Sequence, residues 1–236
     1  MNRFEEVLGR DRPFSQAQCA HLARMPRIAA TLQSLAKSGR RMKFIGKIRC
    51  DCQQTSPEEQ ARAWLNAGAD ALCMENSADE PFHQRMQKVW TVTEFLERHN
   101  RRLPFWLREP VYRPFQLAEA LEAGVQTLSL AMEELSKADR DKLIACAKAA
   151  RVEFVWEIPT KTDIAAVPSE AKLACLTQDC ANLKTAPGQL WKIFDGLPET
   201  WDEADQLKKH FSAIVSAHLP DDPDQAREMV QAIQAI

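Results

Sequence analysis

The feature that most constrains this chain is a repeated exchange between two kinds of segment. Short apolar runs recur along it, and between most of them lie stretches whose apolar residues fall three and four apart. The first kind suits strands buried on both faces, the second amphipathic helices. The stretch Met42-Lys43-Phe44-Ile45-Gly46-Lys47-Ile48-Arg49-Cys50-Asp51-Cys52 shows the strand type best. Phe44, Ile45 and Ile48 belong in a core. Lys47, Arg49 and the Cys50-Asp51-Cys52 tip need a reason to stand at the end of a buried strand, and an open site there would supply one.

Read in order, the pattern predicts a strand over 44–50, then a helix opened by Ser56-Pro57-Glu58-Glu59. That opening has serine at the N-cap, proline in the first position and acids in the first turn. The helix runs to Leu65 and stops at Ala67-Gly68. Further strands are predicted over 71–74, 105–107, 127–130, 152–158, 173–176, 189–194 and 213–215, and further helices over 82–99, 114–123, 137–150, 201–210 and 223–236. Strands separated by helical crossovers run parallel. Eight such units predict a (β/α)8 TIM barrel over 42–236 rather than an open sheet. Residues 1–41 read as an N-terminal helical extension, with one helix over 14–25 and a second carrying Ile28, Leu32 and Leu35. The crossover at 182–189 is too short for an ordinary helix.

Composition removes several classes of function. Lys and Arg total 31 against 33 Asp and Glu, so no bulk charge recruits nucleic acid or an acidic membrane surface. No apolar run approaches ~18 residues, and Met1-Asn2-Arg3-Phe4-Glu5-Glu6 lacks the apolar centre of a secretory signal. Seven cysteines, an odd number, suit reduced thiols in the cytoplasm better than a disulfide framework. Glycine numbers only seven, which is sparse for phosphate-cradling loops. Cys50, Cys52, Cys180 and His83 raise the question of a metal, but their spacing matches no zinc knuckle. The expectation is therefore no metal and no cofactor.

Several stretches resemble one family, the indole-3-glycerol-phosphate synthases, which are TIM barrels of tryptophan biosynthesis with an N-terminal helical extension. Phe44-Ile45-Gly46-Lys47-Ile48-Arg49 is similar to the family's first strand, and Ala67-Gly68-Ala69-Asp70-Ala71-Leu72 to its second-strand entry, followed by Asp79-Glu80-Pro81-Phe82. Leu103-Pro104-Phe105-Trp106-Leu107-Arg108-Glu109 resembles the third strand, and the run from Gln116 to Gly124 the helix after it. The run from Val152 to Ile158 is similar to the fifth strand, and Asn182-Leu183-Lys184-Thr185 to the segment after the sixth. The resemblance implies a carbon–carbon lyase of the carboxy-lyase type.

The departures fall where that chemistry would sit. The family's first-strand glutamate and lysine correspond to Lys47 and Arg49, and its Ser-Pro loop to Cys52-Gln53. Its general-acid lysine becomes Arg108, and the following aspartate Glu109. The fifth-strand glutamate is kept as Glu157, while the sixth-strand asparagine falls on Asp179 or Cys180. The seventh-strand Glu-Ser-Gly becomes Phe194-Asp195-Gly196, and the glycine ending the eighth strand becomes Ser216.

Barrel sites form where the strand C-termini converge. Glu157 is the acid/base candidate there, with Lys47 as a proton donor or electrostatic group. Arg49 and Arg108 are the anion clamps, suited to gripping a carboxylate or phosphate in a bidentate fork. Arg108 stays protonated at working pH, so it stabilises charge rather than donating a proton. The competing reading is that these cations merely balance Glu157, Glu109 and Asp195. Glu109, Asp179, Asp195, Gly196 and Ser216 complete the expected substrate-binding set. Trp106 and Trp156 lie on strands near the mouth, where they either stack on a ligand or pack the barrel.

The resulting expectation is a synthase-like barrel acting on a small anionic metabolite, aromatic ones included, by acid/base chemistry. One alternative is a non-catalytic barrel that binds a ligand or a protein partner. Another is an isomerase resembling the phosphoribosylanthranilate isomerases, with Cys50 as a thiol base facing Asp179.

Overall fold

A computed structural model describes residues 30–36, 41–52, 54–76, 80–99, 102–131, 135–158, 171–176 and 190–236, with the side chain of Trp201 excepted. Eight strands form a closed barrel in sequence order, every pair parallel. They are β1 (Lys43–Arg49), β2 (Ala71–Glu75), β3 (Phe105–Pro110), β4 (Thr127–Ala131), β5 (Glu153–Ile158), β6 (Leu173–Leu176), β7 (Trp191–Asp195) and β8 (Ala213–Ser216). Seven helices are described: α1 (Gln33–Ala36), α2 (Pro57–Ala67), α3 (Phe82–Arg98), α4 (Pro114–Glu122), α5 (Lys137–Ala150), α6 (Trp201–His210) and α7 (Pro223–Ala235). The expected (β/α)8 barrel is what forms. Within it the predicted ends differ from the observed ones by a residue or two, except at β3, which runs three residues past the predicted 107. Of the helix expected to carry Ile28, Leu32 and Leu35, the described residues show Gln33–Ala36. The helix expected over 14–25 and the crossovers around 160–170 and 182–189 lie outside the described residues.

Local chemistry explains why the helices start and stop where they do. Ser56 accepts the Glu59 N–H and the Glu59 carboxylate accepts the Ser56 N–H, closing a capping box ahead of Pro57. Gly68 ends α2 at φ 90°, a left-handed turn that glycine adopts without strain. Ser136, Thr200 and Asp222 cap α5, α6 and α7 with side-chain oxygens that accept first-turn N–H groups.

Strand alternation divides the apolar residues into two cores. Ile45, Cys73, Trp106, Val155, Cys175, Ile193 and Val215 point into the barrel. Phe44, Ile48, Leu72, Leu107, Leu128, Trp156 and Ile214 point out against the helices. Gly46 lies on the outer face, where α2 comes closest. A Cβ there would stand 2.3 Å from Trp64 Cγ, so the Phe44-Ile45-Gly46 spacing is set by helix approach.

The end of the barrel at which the strands begin is stoppered from within. Leu32 and Leu35 join the inner core, and the carboxylate of Glu153 accepts the N–H groups of Leu32 (2.8 Å) and Gln33 (3.1 Å) and the Thr127 hydroxyl (2.9 Å). Burial pushes the Glu153 carboxyl up even against those three donors. The part of the 1–41 segment that is described thus packs as a plug on the barrel floor.

Candidate functional site

At the opposite end, inward-facing positions of β1, β3, β5 and β7 supply charge in alternation. Lys47 Nζ donates to Asp195 Oδ1 at 2.7 Å, and Arg108 Nη1 donates to the other oxygen of the same carboxylate. Arg108 then turns its fork to Glu157, with Nε to Oε1 and Nη2 to Oε2 both at 3.0 Å. Ser129 on β4 donates to Glu157 Oε1 at 2.6 Å and accepts from the Trp106 indole N–H at 3.0 Å. The Arg108 guanidinium lies 5.6 Å from the centre of the Trp106 ring. Glu75, at the end of β2, stands 3.7 Å from Lys47. Strand geometry alone explains the convergence, because every second residue points inward and parallel strands end together.

The ionisations follow from this pairing. Burial and the neighbouring Arg108 charge both act to lower the Lys47 pKa, but Asp195 outweighs them and the net shift is upward. Burial would raise Asp195, yet the charges of Arg108 and Lys47 win and hold it below the usual carboxylate range. Arg108 is buried beside Glu157 and Asp195 and stays a cation. Cys73 and Cys175 lie deeper in the barrel, where burial pushes both thiols up and keeps them neutral. The five described cysteines are all free thiols. Among the described residues no His, Cys, Asp and Glu cluster has a metal-binding arrangement.

Of the expected site residues, Lys47, Arg108, Glu157 and Asp195 come together. Arg49 stands above them on the rim. Its side chain is 57% exposed and forks onto Asp51, with Nε to Oδ1 at 3.1 Å and Nη2 to Oδ2 at 2.7 Å. It also lines a cleft of about 600 Å³ between α2 and α7, together with Cys52, Gln60, Trp64 and Asp221. Glu109 was expected at the mouth and instead faces the helix layer. It follows an inward residue on a strand, so it must point outward. There it meets Arg85 of α3 at 2.9 Å and accepts from Asn76 at 3.2 Å. Cys50 donates to Asn76 at 3.2 Å on the same outer face, and burial pushes its thiol up to about 12, which does not suit a base. Trp156 packs outward too, leaving Trp106 as the tryptophan of the mouth. Gly196 follows Asp195 at φ 147° and donates its N–H to Val215. Ser216 is buried beside Gly46 in the β1–β8 register and accepts the His218 N–H at 3.0 Å. Asp179 and Cys180 lie outside the described residues.

Ser129 is the participant that motif reading passed over. Its signal was the alternation itself: Thr127, Ser129 and Ala131 share one face of β4, and a small hydroxyl among apolar neighbours points to a buried polar partner.

No family model matches the chain. A curated relative does: the chain is 32% identical over 136 residues to an indole-3-glycerol phosphate synthase of Opitutus terrae. The match covers 57% of this chain and 49% of that protein, so the chain spans about half the length of the curated relative it matches. No helix of the described residues is long and apolar enough to cross a membrane. The chain is thus a closed parallel (β/α)8 barrel that is similar, over the matched stretch, to an indole-3-glycerol phosphate synthase.

Proposed function

We propose that this barrel acts on a small anionic metabolite, aromatic ones included, bound at the mouth formed by Lys47, Arg108, Glu157 and Asp195. The observation behind this reading is that two cations and two carboxylates from four strands converge on the C-terminal end of a synthase-like barrel. Glu157 serves as the acid/base, since Arg108 and Ser129 fix its orientation and its side chain still reaches solvent. Arg108 clamps the ligand's anionic group. Lys47, with its raised pKa, holds its proton through neutral pH and acts as an electrostatic group. The chemistry is lyase-like, as the sequence resemblance implies, with Lys47 and Arg108 at positions where that resemblance expects other residues and Glu157 where it expects a glutamate. Arg49 on the rim, and Gly196 and Ser216 at the ends of β7 and β8, are second-rank contacts. The free thiols support a reducing, cytoplasmic setting.

One observation favours a second reading, a barrel that binds without reacting. Each mouth cation already pairs with a carboxylate from another strand across the barrel, a self-neutralised arrangement that needs no ligand to be stable. A thermal-shift screen of small anions, with indole-3-glycerol phosphate among them, tests the site. A ligand that raises the wild-type Tm is expected to leave Arg108→Ala and Glu157→Gln unmoved. Full response in both variants overturns the assignment. Turnover of that ligand, abolished in Glu157→Gln, separates the catalytic reading from the binding one.

A further inference from the structure

Asp195 sits in the mouth in the manner of a bound anion. Its two oxygens are divided between two cations, with Oδ1 on Lys47 at 2.7 Å and Oδ2 on Arg108. The donors come from separate strands, β1 and β3. Arg108 is anchored independently by its fork to Glu157, which leaves Nη1 as the arm directed at Asp195. Lys47 has Glu75 at 3.7 Å as a second carboxylate partner. The side chains of Lys47, Arg108 and Asp195 retain 11–17% of their accessible surface, so an incoming group can reach them.

We infer that Lys47 and Arg108 form an oxyanion subsite that the chain's own Asp195 occupies, and that a ligand carboxylate or phosphoryl group binds by displacing that carboxylate. This deepens the proposed function and rests on the mouth being the ligand site. Two donors, one for each oxygen of a planar carboxylate, match the shape of any group with two oxygens on one atom. The two cations keep an anionic partner throughout the exchange, and the ligand's charge is added at the open end, where the displaced carboxylate is hydrated. The released Asp195 carboxylate reaches water at the open end of the barrel. Asp195 therefore sets affinity: a ligand binds only as far as it competes with a tethered anion at high effective concentration.

Removing the internal competitor is expected to improve binding, which loss of a merely structural ion pair would not do. Calorimetric titration of Asp195→Asn with benzoate and with inorganic phosphate should give at least tenfold tighter binding than the wild type for one of them. Whichever gains names the source, a carboxylate or a phosphoryl group. The gain should vanish in Asp195→Asn/Lys47→Met. The variant should also melt lower without anion and recover as the anion is added. If Asp195→Asn does not fold, Asp195→Ser is read the same way. In the wild type itself, the carbon-13 carboxylate resonance of Asp195 should move as benzoate saturates the protein. Equal or weaker binding in the variants, or a resonance unmoved by saturating anion, overturns the inference. The proposed function would survive that result if a ligand of the wild type is still lost in Arg108→Ala, and would fall with it if no mouth ligand exists.

Discussion

Arg108 and Glu109 are neighbours on β3, yet they anchor charge clusters of opposite character. Glu109 turns outward to Arg85, and that pair keeps 1–2% of its side-chain surface. Arg108 turns inward to Glu157 and Asp195, where 16–21% remains exposed. The first cluster is sealed between β3 and α3, with Asn76 linking it to the end of β2. The second opens to solvent at the barrel mouth. In a sealed pair water cannot replace a lost charge. An open pair can trade one anion for another. The difference separates a device that holds the helix layer on the barrel from one that can receive a ligand.

The largest effect expected from this contrast is on stability. Arg85→Ala breaks this buried ion pair and should cost about 3–5 kcal/mol in urea unfolding. Arg108→Ala should cost visibly less, because its partners can hydrate. Equal losses would erase the distinction between the two clusters.

Acidification gives a smaller effect. Asp195 has a folded pKa below its ordinary value of 3.8, so its contribution is present above that value and fades as pH falls through the folded pKa. The gap in Tm between the wild type and Asp195→Asn should therefore narrow as pH is lowered from about 5 towards 3. Lys47 works in the other sense. Its folded pKa lies above 10.5, so its contribution holds below that value and is lost only as strongly alkaline pH passes the folded pKa. A gap that stays constant in acid would show that Asp195 gains nothing from its two cations.

The smallest effect belongs to the rim. Arg49 and Asp51 are both more than half exposed, and Arg49→Ala should change stability by about 0–1 kcal/mol. Ligand response should persist in that variant. Its loss would bring Arg49 into the site as the anion clamp that its strand position suggested.

The candidate site was only partly legible in the sequence. Lys47, Arg108, Glu157 and Asp195 could be named because each ends a strand and strand ends converge. Their partners could not be assigned, since Asp195 stands 148 residues from Lys47 and 87 from Arg108. Glu109 shows the same limit from the other side. Its placement at the mouth came from motif position, and alternation along β3 reversed it. Ser129 was hidden because a lone serine in a strand has many uses, and only the closed barrel set it beside Glu157.

The sequence by itself determined the fold. Short apolar runs and period-3.6 patterns, caps such as Ser56 and Gly68, and the order of the strands are local or additive signals, and each residue adds to them without reference to distant ones. Only the tertiary structure decided how the charges pair. Which oxygen meets which nitrogen depends on the register and closure of eight strands, and a shift of one residue sends a side chain to the opposite core. The mouth of this barrel, with its own carboxylate held between Lys47 and Arg108, is a product of that closure.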